Sequence, residues 1–144
     1  MKPVPGWPRI SSAVVYERGG EAIDWLCKAF GFEVRLRIEN DDGSLVHCEL
    51  TYGDAVIMVA EPKDKFPFMR APAQAGGANT QSLMVYVDDL DAHVKRAREA
   101  GAQIVMEPEV HDYCDEYWSD RIYEAVDLGG HHWWFNQRMK TGKQ

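Results

Sequence analysis

Ser82-Leu83-Met84-Val85-Tyr86-Val87, followed by Asp88-Asp89 and a helical pattern that stops at Gly101, is the stretch on which the fold turns. Its β-branched and aromatic residues suit a short strand. Asp88 or Asp89 suits a helix cap, Leu90, Val94 and Ala97 form an apolar stripe, and Gly101 ends the helix. The same order of events occurs earlier, where Ser12-Ala13-Val14-Val15-Tyr16 precedes a helix with the stripe Ile23, Leu26 and Phe30 and the stop Gly31. Aligned without a gap, Ser12 falls on Ser82, Val15 on Val85, Tyr16 on Tyr86, Ala22 on Ala92 and Gly31 on Gly101.

Strand-like runs follow each helix. In the first half they are Glu33 to Ile38, Leu45 to Tyr52 and Asp54 to Ala60, with turns at Asp42-Gly43 and Gly53-Asp54. In the second they are Gln103 to Met106, Arg121 to Asp127 and His131 to Asn136, with a turn at Gly129-Gly130. Each half reads β-α-β-β-β, so the expected fold class is α+β. The expected organisation is one domain over residues 1–144, made of two modules (about 8–61 and 81–137). Between them lies Pro62 to Gln81, rich in Pro, Gly, Ala and Asn but carrying Phe66, Phe68 and Met69; it is a linker, a lid or an arm reaching a neighbour.

Composition narrows the function. A formal charge of −7, with no basic stripe, opposes nucleic-acid binding, which needs clustered Lys and Arg. Met1 to Ile10 contains three prolines and no apolar run, so no secretory signal or membrane anchor is expected, and the location is cytoplasmic. Cys27, Cys48 and Cys114 are scattered and read as buried, inert thiols.

The tandem modules resemble the vicinal oxygen chelate superfamily of glyoxalase and bleomycin-resistance proteins. The likeness is carried by Ala22-Ile23-Asp24-Trp25-Leu26 with Ala29-Phe30-Gly31-Phe32, and by Val85-Tyr86-Val87-Asp88-Asp89 with Ala100-Gly101-Ala102. It is carried also by Asp127-Leu128-Gly129-Gly130-His131 with Trp133-Trp134-Phe135, and the bleomycin-resistance-like branch by Asp42-Gly43, Val46-His47-Cys48-Glu49 and Tyr117-Trp118-Ser119-Asp120-Arg121. The resemblance implies a curved mixed sheet around a cavity, often completed by a homodimer. It also places metal-ligand positions at Ser11 or Ser12, Met58, Ser82 and Trp134, none of which is a His or a carboxylate. No metal or other cofactor is therefore expected at those positions.

Alternation along the strands puts Val56, Met58 and Ala60, then Ser82, Met84 and Tyr86, then His132, Trp134 and Asn136 on the cavity face. The candidate ligand-binding set is Trp134, His132, His47, Ser82, Met84, Tyr86, Met58, Trp118 and Tyr123. Trp133 should face away from Trp134. His131 belongs to a structural turn, His93 to a helix surface and His111 to a loop; Asp120 and Arg121 are a candidate pair at the start of a strand. The acidic stretch from His111 to Tyr117 reads as a solvated loop.

The function expected is non-covalent binding or sequestration of a small, partly aromatic molecule, an antibiotic or toxic metabolite, by a homodimer. One alternative is a glyoxalase- or dioxygenase-like metalloenzyme with a displaced ion near His47 and His132, with Glu49 and Glu61 close in sequence. Another is an interaction module with a filled cavity.

Overall fold

The repeat seen in the sequence becomes two sheets of equal size. The computed structural model describes residues 4–142; Met1 to Pro3 of the N-terminal stretch and the last two residues lie outside the described residues. In chain order the elements are β1 (Ser12–Val15), α1 (Gly19–Phe30), β2 (Glu33–Glu39), β3 (Leu45–Tyr52) and β4 (Ala55–Ala60). A 3-10 turn, Pro72–Ala75, interrupts the connector. Then come β5 (Leu83–Tyr86), α2 (Leu90–Glu99), β6 (Gln103–Asp112), β7 (Trp118–Val126) and β8 (His132–Thr141).

The strands form two four-stranded mixed sheets, ordered β1-β4-β3-β2 and β5-β8-β7-β6. β1 runs parallel to β4 and β5 parallel to β8, while the remaining pairs are antiparallel. The registers match as well, but one residue away from the gapless alignment: Val15 is equivalent to Tyr86, and Tyr16 to Val87. Met58 lies between Ala13 and Glu49, and Trp134 lies between Met84 and Glu124. One step along, Val15 faces Ala60 as Tyr86 faces Asn136.

Local chemistry sets the element ends. Asp89 caps α2, its side chain accepting from the Ala92 amide at 3.0 Å, and Gly31 closes α1 in the left-handed region at φ 82°. The stripes Ile23, Leu26, Phe30 and Leu90, Val94, Ala97 are buried against the inner faces of the sheets. Phe30 packs on Trp133 and Phe135 with ring centroids at 5.5 and 4.7 Å, which joins the first helix to the second sheet. Arg96 adds a second tie, donating to the Lys28 and Cys27 carbonyls that end α1.

Asp127 is the buried junction of the halves. It accepts from the Gly129 and His131 amides of its own turn, from the Trp133 indole and, at 2.5 Å, from the Tyr16 hydroxyl. Burial first, then the Asp127 charge and hydrogen bond, hold the Tyr16 phenol well above its usual range. Gly129 is required here, because a Cβ would come within 2.6 Å of the Tyr16 ring.

Several expectations are corrected. β6 runs to Asp112 rather than ending at Met106, so His111 is a strand residue. Pro108, which lacks an amide donor, sits where the β6–β7 register shifts between Met106 and Glu109, so the ladder steps around it. β7 begins at Trp118 and β8 continues to Thr141, since pairing with each other sustains strand through polar sequence. His93 is buried: its Nε2 donates to the Phe30 carbonyl at 2.8 Å, leaving Nδ1 to accept from the Tyr123 hydroxyl at 2.5 Å. Cys114 is exposed and Cys27 partly so; only Cys48 is buried, and burial pushes its thiol up to about 11. Asp120 and Arg121, neighbours on a strand, point to opposite faces, and Arg121 pairs with Asp91 on α2 at 2.7 Å.

Candidate functional site

Each sheet turns one face to the helices and leaves the other open. On β8 the difference is visible between adjacent residues: Trp133 is 1% exposed within the core, whereas Trp134 is only partly covered. The open face of the second sheet carries Met84 and Tyr86 from β5, and His132, Trp134, Asn136 and Arg138 from β8. Ile122 and Glu124 of β7 are opposite Asn136 and Trp134. Ser82 precedes β5 and accepts from the Trp134 indole at 3.2 Å. The open face of the first sheet carries Met58 with Glu49 and Ala13 beside it.

Tyr123 does not share this face. As the register partner of Phe135 it is fully buried, and its ring stacks on Phe135 at 5.1 Å. One residue of phase separates a face residue from a core residue.

His47 and His132 are each held by a glutamate of their own sheet. His47 Nε2 is 2.7 Å from Glu49 Oε2, while Arg35 Nε donates to Glu49 Oε1 at 2.9 Å. The His47 hydrogen bond, then that from Arg35 and its charge, outweigh desolvation and hold the Glu49 carboxyl below its usual range. His132 Nδ1 is 2.5 Å from Glu124 Oε1. Glu49 and Glu124 occupy the same register position in the two sheets. Glu61 is engaged in holding the chain together, its two oxygens accepting from the Gly19 and Leu45 amides at 2.9 and 2.6 Å.

The most developed polar group on the open faces centres on Asp120, which is buried. Arg138 Nε donates to Asp120 Oδ1 at 2.6 Å, the Tyr86 hydroxyl to Oδ2 at 2.7 Å and the Asn136 amide to Oδ2 at 3.2 Å. Arg138 Nη2 also donates to the Tyr86 oxygen at 2.5 Å. Burial raises the Asp120 carboxyl, but these hydrogen bonds and the Arg138 charge prevail and hold it below its usual range. The guanidinium carbon lies 5.2 Å from the Tyr86 ring centre and 5.6 Å from that of Trp118, a cation–π sandwich at the sheet's edge. Tyr113 and Tyr117 extend it, with centroids 5.2 and 6.2 Å from Trp118.

Sequence reasoning missed Glu124, Asp120 and Arg138 as members of the site. Had β8 been extended past Asn136, alternation would have put Arg138 beside it.

Along the seam between β1 and β5, a cavity of about 560 Å³ is roofed by the connector. Phe68, Met69 and Asn79 come from the roof, Val15 and Leu83 from the two edge strands, and His132 from β8. Asn79 fastens the roof, accepting from the His132 amide and donating to the Gly130 carbonyl, both at 3.0 Å, and Gln81 donates to Ser12 at 2.6 Å. The connector is therefore an ordered cover of the seam.

The family model described as the Glyoxalase/Bleomycin resistance protein/Dioxygenase superfamily matches residues 12–135, nearly the whole of this two-sheet unit. The chain belongs to this superfamily. Among solved structures, that of TioX from Micromonospora sp. ML1 is 31% identical, covers 90% of this chain and 95% of its own, and has a TM-score of 0.66. The uncharacterized protein Rv0887c of Mycobacterium tuberculosis is 31% identical over 138 residues, 92% of this chain and 76% of its own length. TnmS3, an antibiotic binding protein from Streptomyces sp. CB03234, shares the fold at 17% identity, with a TM-score of 0.63 over 89% of this chain and 93% of its own.

In this glyoxalase/bleomycin-resistance chain the residues at the ligand positions that the resemblance implies do not suit a divalent ion. Ser11 donates to the Val56 carbonyl, Ser12 accepts from Gln81, Ser82 accepts from Trp134, and Met58 offers only a thioether. Among the described residues no three His, Cys, Asp or Glu side chains are grouped as ligands.

Proposed function

We propose that this protein binds and sequesters a small, partly aromatic molecule, an antibiotic or toxic metabolite, without changing it chemically. The observation that carries the reading is the open face of the second sheet. Trp134, Met84 and Tyr86 form an apolar, ring-bearing floor there beside the neutralised Asp120–Arg138 pair. Such a floor favours flat ligands, since stacked rings contribute about 0.5–1.5 kcal/mol beyond area burial. Antibiotic binding occurs on this fold in TnmS3; the side chains here, rather than that likeness, carry the argument.

The site is completed, in this reading, by a second copy of the chain. On the open faces Leu36, Ile38 and Met84 are 40%, 43% and 52% exposed, apolar surface that a homodimer would cover. Sedimentation should give twice the 16.4 kDa chain mass, and a monomer at micromolar concentration would remove this part of the proposal. The reading keeps the protein in the cytoplasm; among the described residues no helix is long and apolar enough to cross a membrane.

A metalloenzyme built around His47 and His132 has less support, because the two imidazoles lie on different sheets and each is engaged by a glutamate of its own sheet. A filled interaction module has less still, given the open faces and the roofed cavity. The deciding experiment is titration with planar heteroaromatic compounds, followed by tryptophan fluorescence and calorimetry. Quenching that is lost in Trp134→Ala supports the reading, whereas saturable zinc or iron(II) binding that is lost in His132→Ala would replace it.

A further inference from the structure

Asn136 sits in the middle of the open floor with Tyr86 and Ile122 as its register partners and Trp134 and Arg138 two residues to either side. It is 6% exposed, and its Oδ1 is the one buried side-chain oxygen or nitrogen among the described residues that has no hydrogen-bond partner. The orientation of the amide is fixed. Its Nδ2 donates to the Asp120 carboxylate, and turning the group over would set a carbonyl against that carboxylate.

None of the donors around the Asn136 oxygen on the floor is directed at it. The Tyr86 hydroxyl donates to Asp120, Arg138 is committed to Asp120 and Tyr86, and the Trp134 indole is directed at Ser82. Ile122 has no donor at all. Native proteins leave few buried acceptors unpaired, and those few call for a specific partner. A ligand donor reaches the Asn136 oxygen only by displacing the side chains beside it, Tyr86 at 44% exposed and the partly exposed Trp134.

We infer that Asn136 is the specificity-determining acceptor of the site, selecting planar aromatic ligands that carry a neutral O–H or N–H donor on the ring edge. The inference rests on the proposed binding function and narrows it. Stacking on Trp134 accepts any flat ring, whereas the Asn136 oxygen rewards only those with a donor in plane with it. The donor is neutral because the nearest carboxylate, Asp120, already has its counter-charge in Arg138.

The test uses the full-length protein with umbelliferone and its O-methyl ether, two flat coumarins that differ in one hydroxyl, titrated by calorimetry at mildly acidic pH where the phenol keeps its proton. The wild type should favour the phenol by about tenfold, the scale expected when a buried polar group is left without its partner. Asn136→Leu, close in volume, should bring the ratio near one; if that variant does not fold, Asn136→Ala replaces it. Equal wild-type affinities, or a preference that survives in the variant, would overturn the role of Asn136 while leaving the binding function standing. If neither compound binds and Trp134 fluorescence is unchanged, the binding function fails, and this inference with it.

Discussion

The open faces of the two sheets share one register and differ in chemistry. Where the first sheet has Ala13, Met58 and Glu49 in a row, the second has Met84, Trp134 and Glu124; where the first has Val15 and Ala60, the second has Tyr86 and Asn136. Only the glutamate is kept. At these positions the first face is aliphatic, and the second carries two rings and an amide. The matching backbone fixes where side chains stand, and the unequal side chains are why the proposed function places recognition on the second half.

The largest expected effect tests the phase of β8, on which the comparison depends. Trp133→Ala should reduce stability by about 3–5 kcal/mol in chemical denaturation, since it removes an indole from a closed core. Trp134→Ala should leave stability nearly unchanged. Reversed results would shift the last strand by one residue and dissolve the equivalence with Met58.

Next in size is the contrast between the faces themselves. Trp134→Ala should weaken binding of a planar heteroaromatic by the order of 1 kcal/mol or more through lost stacking and area. Met58→Ala, at the matching position, should weaken it by less than half that amount. Calorimetric titration of both variants decides it, and equal losses would mean that the ligand lies between the faces rather than on the second.

Removing the Tyr86 hydroxyl sharpens the comparison further. Tyr86→Phe keeps the ring but takes one donor from Asp120 and an acceptor from Arg138, so a loss of about 0.5–1.5 kcal/mol in stability is expected, by thermal or urea unfolding. Tyr86→Phe with unchanged stability would show that Arg138 and Asn136 suffice to position Asp120.

The smallest effect separates the core from the faces by pH. Burial holds the His93 imidazole below its usual value, so the unfolded chain takes up a proton before the folded one does. Its contribution is fully present above the unfolded pKa of about 6.5 and declines as pH falls from there toward the folded value. Stability measured at descending pH should show this slope, and His93→Phe should flatten it.

Much of this was legible in the sequence, for reasons tied to particular residues. Gly31 and Gly101 follow the two helices and Asp89 caps the second, so the repeat and its element order could be read directly. Strand phase was readable on β8, where Trp133 and Trp134 fall on the two faces named for them, because buried and exposed positions alternate without interruption. It failed on β7, where Tyr123 looked like a site residue only because it is aromatic. It stopped short on β8, since Gln137 to Lys140 are polar and give no strand signal of their own. His93 was misread because a histidine in a charged helix resembles a surface residue until its two ring partners, Phe30 and Tyr123, arrive from elsewhere in the chain.

The Tyr16–Asp127 hydrogen bond joins residues 111 positions apart. During synthesis the first module emerges complete in its strands and helix, yet the phenol that ends β1 has no acceptor until the closing turn of the second module leaves the ribosome. A buried hydroxyl without a partner is unfavourable, so the first module acquires its final packing late, when nearly the whole chain is available. Completion of the core therefore requires the closing turn and the last strand, which also supplies half of the proposed binding floor.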